Sequence, residues 1–339
     1  MKNPTREKNS APNNEKNKGT GISVVYSKKV KEDKESIFQF LDFINLESRI
    51  KQDKIYIKPN FMTFVHPEHL NYTSPLLINS VYEYIENWGY SDINIIESEV
   101  YYSNMFKMHN VVNIAKRIGI NPKFNVINLS KQPTLDFFFQ QRKLKVPKLL
   151  DRKFNDYFLL NLPKLKALGH FSITCAIKNL YGCYSTYNKY EEFHRKWRVE
   201  KAIGAFHHFT KPDFSIIDGI ETQDCINQHL EEEMRNYSNY YGYLLASDNP
   251  YALDLLICDI INLNPKIVKY LDEIKDVYIS DFIIEGEIPE KLNFKRPNYF
   301  TRFFWRKIVD SNIWTKKFIE KNIKRRCEKY IFDKEIFGN

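Results

Sequence analysis

The sequence predicts an α/β fold in which helices flank a mainly parallel sheet, in one body or two lobes, followed by a basic C-terminal helical tail. Three observations support this prediction. Apolar runs of strand length alternate with amphipathic runs of helix length from residue 22 onward. Turn and cap residues separate these runs. The chain has 339 residues, of which 43% are hydrophobic, and this is enough to fill a core.

The predicted elements divide the chain into three parts. Residues 1–20 are polar and basic and are expected to be disordered, residues 21–290 form the α/β domain, and residues 291–339 form the tail. Within the domain, Ser74 and Asp248 are predicted helix N-caps and Gly89 is a predicted helix end. The predicted strands are 22–26, 54–58, 92–97, 157–162, 214–217 and 243–246. The predicted helices include 34–44 and the segments that begin at Pro75 and Asp248. Segments 111–118 and 124–129 continue the alternation of strands and helices.

The segment from residue 161 to 182, NLPKLKALGHFSITCAIKNLYG, gathers cations around apolar residues. If the chain after Gly169 is helical, His170, Thr174 and Lys178 share one helix face, at i, i+4 and i+8. Lys164 and Lys166 follow a predicted buried strand, and ligands of open α/β sheets bind at the carboxyl ends of strands. The alternative is that the lysines are solvated and that His170 is a capping residue.

Two carboxylates in the second half of the chain have open roles. Asp218 precedes Gly219 at a predicted strand end, where it could serve a turn or a ligand. Asp254 lies on a predicted apolar helix. Its position is equally compatible with a contact between helices and with a role in a reaction.

Several motifs occur in a fixed order along the chain. They are IKPN (57–60), TSP (73–75), PKLK (163–166) with His170 and IKNLYG (177–182), IDGI (217–220), and ASD (246–248) with ALD (252–254). In this order they resemble the domain of unknown function 362 family over roughly residues 22–277. Two departures are that Ser74 stands where the family often has His, and that the glycine-rich loop expected after residue 220 is missing.

Members of this family often carry a fused or neighbouring iron–sulfur ferredoxin module. The five cysteines of this chain show no C-x-x-C spacing, so we expect no iron–sulfur cluster on it. The resemblance therefore implies that any electron donor is a separate protein.

A second, very distant similarity is to the lactate racemase family, through a His…Lys…His order. It implies that Lys178 tethers a nickel-pincer nucleotide, that His194 is a nickel ligand and that His170 is the acid/base. Apart from this similarity, the sequence assigns no metal or cofactor.

Two classes of function remain. The first is an enzyme for a small anionic or phosphorylated substrate, with either acid–base chemistry or a redox isomerisation open to it. The second is a non-catalytic binding or assembly protein of the same fold. The predicted catalytic residues are His170, Lys178 and His194; the predicted substrate-binding residues are Lys58, Asn60, Lys164, Lys166, Thr174, Asn179 and Asp218.

The net charge of +9 is confined to the tail. Residues 291–339 hold 14 Lys or Arg and 5 Asp or Glu, whereas the preceding 290 residues hold 37 of each. This aromatic and basic segment could dock on the domain, attach to an anionic membrane surface or bind nucleic acid, although no motif predicts a specific nucleic acid. With neither an apolar signal region nor a membrane-spanning run, we expect a cytoplasmic protein, with peripheral membrane attachment as the alternative.

Overall fold

The computed structural model describes residues 21–61, 71–99, 110–168, 171–186, 188–223 and 238–294. The predicted disorder of residues 1–20 and the predicted tail helices beyond residue 294 therefore lie outside the described residues, as does His170. None of the helices in the described ranges has the length and apolar character that crossing a bilayer requires.

Twelve strands and eight α-helices are found in this part of the chain. The strands are β1 (Ser23–Lys29), β2 (Lys54–Pro59), β3 (Asp92–Glu97), β4 (Asn125–Asn128), β5 (Thr134–Phe139), β6 (Arg142–Pro147), β7 (Phe158–Leu162), β8 (Lys164–Leu168), β9 (Phe171–Thr174), β10 (Phe214–Gln223), β11 (Ser238–Ser247) and β12 (Phe282–Gly286). The helices are α1 (Lys34–Phe43), α2 (Leu46–Arg49), α3 (Pro75–Asn87), α4 (Val111–Arg117), α5 (Ala176–Asn179), α6 (Val199–Phe209), α7 (Pro250–Ile260) and α8 (Lys269–Asp272).

The main sheet has the strand order β12-β1-β11-β10-β7-β2-β3-β4, and β8 with β9 extends from β10. Along this path only β11 runs antiparallel to its neighbours. The predicted α/β class with a mainly parallel sheet is therefore confirmed. Strands β5 and β6 form a separate antiparallel hairpin that the sequence analysis did not predict.

Helices cover both faces of the sheet. Along β7, Phe158 and Leu160 enter one core cluster together with residues of α1, α3 and α4, whereas Leu159 enters another together with residues of α6. A third cluster joins α5, α7 and α8. Because successive side chains of a strand point to opposite faces, this alternation shows a parallel sheet buried on both sides.

The predicted helix from residue 170 to 178 is wrong. Strand β9 occupies residues 171–174, and only the single turn of α5 follows it. The β-branched Ile173 and Thr174 fit a strand that pairs with β8, and this pairing outweighs the helical spacing. Thr174 and Lys178 consequently do not share a helix face.

Two predicted caps are also corrected. Ser74 stands at the N-cap position of α3 but makes no side-chain cap bond. At α7 the cap is Asn249 rather than Asp248, since the Asn249 side chain accepts bonds from the backbone N–H groups of Tyr251 and Ala252. Gly89 has a φ of +86° directly after the end of α3, consistent with its predicted role as a helix end.

The short helix α5 is held in place by a buried carboxyl group and a buried imidazole. Asp254 on α7 accepts bonds from the backbone N–H groups of Ala176 at 2.8 Å and Ile177 at 3.3 Å. His207 Nε2 donates to the Ile177 carbonyl oxygen at 2.9 Å, and its Nδ1 accepts from the Tyr278 hydroxyl at 2.8 Å. Burial raises the pKa of Asp254 to about 7 and lowers the pKa of His207 to about 4, so the imidazole is neutral at pH 7. Asp254 is thus a helix-pairing residue.

We expect Asp254→Ala to lower the free energy of unfolding by about 2–4 kcal/mol, because two buried N–H groups lose their acceptor. Asp254→Asn keeps one acceptor oxygen and should cost about half as much. Urea denaturation at pH 7 measures both, with Asp259→Ala on the exposed face of α7 as the control. Equal losses for Asp254→Ala and Asp254→Asn would contradict the capping role.

Candidate functional site

Strands β2, β3, β7 and β10 run parallel and end at the same edge of the sheet. Buried lysines, carboxylates and amides lie at these strand ends. The segments 62–70, 100–109 and 224–237, which follow β2, β3 and β10 along the chain, lie outside the described residues. This edge is where open α/β sheets bind their ligands.

Lys58 at the end of β2 forms a buried ion pair with Glu97 at the end of β3. The Lys58 Nζ lies 2.7 Å from Glu97 Oε2 and also donates to the Pro59 carbonyl oxygen at 2.7 Å. Glu97 accepts a further bond from the Ser98 N–H at 2.9 Å. A Cβ atom at Gly182 would lie 2.5 Å from Glu97 Oε1 and 2.8 Å from Lys58 Nζ, so any other residue there would displace the ends of both side chains.

Lys164 on β8 forms a second buried ion pair, with Asp218 on β10. The Lys164 Nζ lies 3.0 Å from Asp218 Oδ2. The same carboxylate accepts a bond from the Ser74 N–H at 2.7 Å and from the Ile220 N–H at 3.3 Å. Asp218 therefore pairs with a lysine and anchors the start of α3, and its role in substrate binding stays a prediction.

Amide side chains connect the third lysine to the first. Lys166 Nζ donates to Asn60 Oδ1 at 2.8 Å and to the Asn71 carbonyl oxygen. Asn60 Nδ2 donates to Asn179 Oδ1 at 3.0 Å. Asn179 Nδ2 donates to the Lys58 carbonyl oxygen at 3.0 Å and to Asn161 Oδ1 at 2.8 Å. This chain of bonds ties β2, β7, β8 and α5 together.

Two further lysines have lowered pKa values. Lys178 on α5 is half-buried, and its burial together with the positive charge of Lys58 lowers its pKa to about 8. Burial, opposed by nearby carboxylates, likewise lowers the pKa of Lys189 to about 8. Lys189 Nζ donates to two neutral oxygens, the Ser98 hydroxyl and the Glu99 carbonyl at 2.8 Å. An anion placed beside these groups would stabilise their charged forms.

The structure brings most of the predicted binding residues together. Because Lys164 and Lys166 are buried, the alternative of solvated lysines is wrong for these two. Thr174 is buried opposite Lys166 in the β8–β9 pairing. Hydrogen bonds join Lys58, Asn60, Lys166 and Asn179, and the second ion pair joins Lys164 to Asp218.

The hydrogen bonds described above do not include His170, Thr174, Lys178 or His194. His194 lies in the π-helical turn Tyr190–Arg195, and its role as a metal ligand stays a prediction. His170 lies outside the described residues. Among the described residues no group of three or more His, Cys, Asp or Glu side chains is arranged to hold a metal ion. Cys175, Cys183 and Cys258 are buried free thiols.

Sequence reasoning missed Glu97 and Lys189. Glu97 could have been found, because it is the last residue of a correctly predicted strand at the edge where Lys58 lies. Lys189 belongs to no predicted element, and nothing in its sequence neighbourhood signals its burial.

Comparison with known proteins gives two findings. Residues 55–259 match the model of a family described as domain of unknown function (DUF362). A protein of Synechocystis sp. described as thylakoid-associated is 24% identical over 228 residues, which are 63% of this chain and 64% of the relative. The aligned part is thus less than two thirds of the relative's own length.

Removing one partner of the Lys58–Glu97 pair should be more damaging than removing both charges. We expect Lys58→Met to lower the free energy of unfolding by about 3–5 kcal/mol, because Glu97 is left charged and buried. The double variant with Glu97→Gln should recover a large part of that loss. Urea denaturation tests this, and Lys29→Met in the exposed pair with Glu290 is the control and should change the stability little. A double variant no more stable than Lys58→Met would contradict the pairing.

The lowered pKa of Lys178 predicts a pH-dependent stability. Between about pH 8 and the ordinary lysine pKa of 10.5 the unfolded chain binds more protons than the folded one, so stability rises with pH in this window. Lys178→Met should therefore stabilise the protein at pH 7 by an amount on the order of 2 kcal/mol, and the difference should vanish by about pH 10.5. Thermal unfolding across this range measures it, with the exposed Lys123→Met as control. A difference that does not change with pH would contradict the assigned pKa.

Proposed function

We propose that this chain, which belongs to the domain of unknown function 362 family, is an enzyme. It would act on a small anionic or phosphorylated substrate at the carboxyl ends of β2, β3 and β7. The observation that carries this proposal is the lowered pKa of the half-buried Lys178 beside the buried Lys58–Glu97 pair. The free energy of unfolding of a protein is small, and a lysine whose charged form is destabilised by burial lowers it further. A bound anionic substrate would stabilise the charged form and so offset this loss of stability.

The chemistry proposed for Lys178 follows from its pKa. With a pKa of about 8, roughly a tenth of the amine is neutral at pH 7, against less than about a thousandth for an ordinary lysine. Such a group can accept and return a proton near neutral pH, or attack an electrophilic carbon. Lys189 would contribute positive charge, and in a low-dielectric site fixed charge stabilises developing negative charge strongly.

The surrounding amides would hold the substrate in one orientation. Asn60 and Asn179 bond each other, Asn179 also donates to the Lys58 carbonyl oxygen of β2, and the Asn60 N–H donates to the Thr73 hydroxyl. Their positions are therefore set before any ligand binds. The ion pairs of Lys58 and Lys164 would hold the strand ends in place, and Lys178 and Lys189 would supply the positive charge. Preorganised polar groups lose little freedom on binding, which favours catalysis. His170 remains the proposed acid/base partner of Lys178.

A second candidate function is a non-catalytic binding or assembly role at an anionic membrane surface. The observation that favours it is the relative from Synechocystis sp., which is described as thylakoid-associated. In this chain the contact would be made by the basic residues of segment 291–339. Such a role does not require Lys178.

Binding of simple anions tests the first function. We expect phosphate and pyrophosphate to raise the melting temperature of the full-length protein at constant ionic strength, since a ligand that binds only the folded state stabilises it. Lys178→Ala and Lys189→Met should each weaken the apparent affinity about tenfold, the effect of losing roughly 1.4 kcal/mol. Affinity should fall between pH 7 and pH 9 as both ammonium groups lose their protons.

The exposed Lys123→Ala variant is the control and should bind like the wild type. Native and denaturing mass spectrometry of the wild type and Lys178→Ala then identifies any ligand or covalent adduct that depends on Lys178. If neither anion stabilises the protein and no adduct is found, while the protein sediments with vesicles of phosphatidylglycerol, the membrane role is favoured and the enzyme proposal fails.

A further inference from the structure

Two buried polar atoms near Lys166 have no hydrogen-bond partner among the described residues. They are the Thr174 hydroxyl oxygen and the Asn71 side-chain oxygen. Thr174 is 1% exposed and Asn71 is 4% exposed, so bulk water does not satisfy them. Native proteins rarely leave such atoms unpaired, and each one calls for an explanation.

The strand pairing places Thr174 on the ligand-facing side of the sheet extension. Leu165 and Ala167 of β8 and Ile173 of β9 all pack into the same core cluster. Because side chains alternate along a strand, Lys164, Lys166 and Thr174 lie on the opposite face. Lys166 and Thr174 are paired across the two strands, so their side chains are neighbours.

Asn71 also contacts Lys166, through its backbone. Its carbonyl oxygen accepts a bond from Lys166 Nζ, so residue 71 adjoins this ammonium group. Lys166 is in turn bonded to Asn60 and, through it, to Asn179. Thr174 and Asn71 are therefore both neighbours of Lys166, in the network that the proposed function assigns to the substrate.

The two groups complement each other chemically. A threonine hydroxyl can donate one bond, whereas an amide oxygen can only accept. One hydroxyl group of a ligand can accept the bond from Thr174 and donate its own proton to Asn71. A bare carboxylate or phosphate cannot satisfy both, because a fully ionised anion has no proton to donate to the amide oxygen.

We propose that the substrate is an anion that also carries a hydroxyl group, and that Thr174 and Asn71 bind this hydroxyl beside Lys166. This inference rests on the proposed function and narrows its substrate class. Sites built to bond a hydroxyl discriminate strongly against analogues that lack it, because their own polar groups are then left buried and unpaired.

Matched anions that differ by hydroxyl groups test the proposal. Glycerol 3-phosphate is compared with propyl phosphate, and glycolate with acetate, by thermal shift and calorimetry on the full-length protein, with inorganic phosphate as the reference. At least one hydroxylated anion should bind about tenfold or more tightly than its partner. Thr174→Val should abolish this preference and Thr174→Ser should retain it.

The ligand-free variants provide an independent measurement. Valine has the shape of threonine without the unpaired hydroxyl, so Thr174→Val should raise the melting temperature by about 1–3 °C. The control is Thr222→Val, where a buried hydroxyl donates to the Asn239 carbonyl oxygen at 3.3 Å, and this variant should melt at a lower temperature.

The outcomes separate the two proposals. If no anion binds, inorganic phosphate included, the proposed function fails and this inference fails with it. If phosphate binds but neither hydroxylated anion is preferred, or if the preference survives in Thr174→Val, only this inference is overturned. A lower melting temperature for ligand-free Thr174→Val also overturns it, since the hydroxyl would then be satisfied within the protein, for example by a resident water.

Discussion

Burial of lysine ammonium groups at the ends of parallel strands is the constraint on which the rest of this site depends. An ion removed from water is costly unless charges and hydrogen bonds surround it. Lys58 and Lys164 therefore require Glu97 and Asp218, and the ammonium of Lys166 bonds an amide oxygen and a carbonyl oxygen. These partners come from different strands and loops, so satisfying the lysines also sets how the strand ends are arranged. Such pairs contribute specificity of arrangement more than stability.

The side of α5 that faces away from the lysines packs against the hydrophobic core. Asp254 holds the N-terminal amides of this helix, and His207 binds one of its carbonyl oxygens. Both side chains are buried among apolar residues of α6, α7 and α8. A single helical turn has little stability of its own, and these hydrogen bonds stabilise it. The core thus determines where Lys178 and Asn179 stand, and the position of the functional groups is coupled to the stability of the domain.

Family membership and fold leave the chemistry open, because one fold can host many reactions. The specific information lies in the electrostatics of individual side chains. Lys178 and Lys189 are held in surroundings that lower their pKa values, while Lys58 and Lys164 have buried carboxylate partners within 3.0 Å. The two ion-paired lysines hold the strand ends together, and the two lysines of lowered pKa are those that the proposed function assigns to the ligand. Perturbed titrating groups of this kind are a characteristic of functional sites.

The local sequence missed the hairpin of β5 and β6 and the strand β9. It was nevertheless sufficient to predict most strands of the main sheet, the class of the sheet and the lysines at its edge. Those properties depend on periodicity and on residues a few positions apart. Tertiary structure decided the partners of the lysines, since Glu97 is 39 residues from Lys58 and Asp218 is 54 residues from Lys164. It also decided that residues 171–174 form a strand, because pairing with β8 buries Ile173 and outweighs a helical pattern. Contacts between distant segments depend on how the whole chain packs, and no local pattern encodes them.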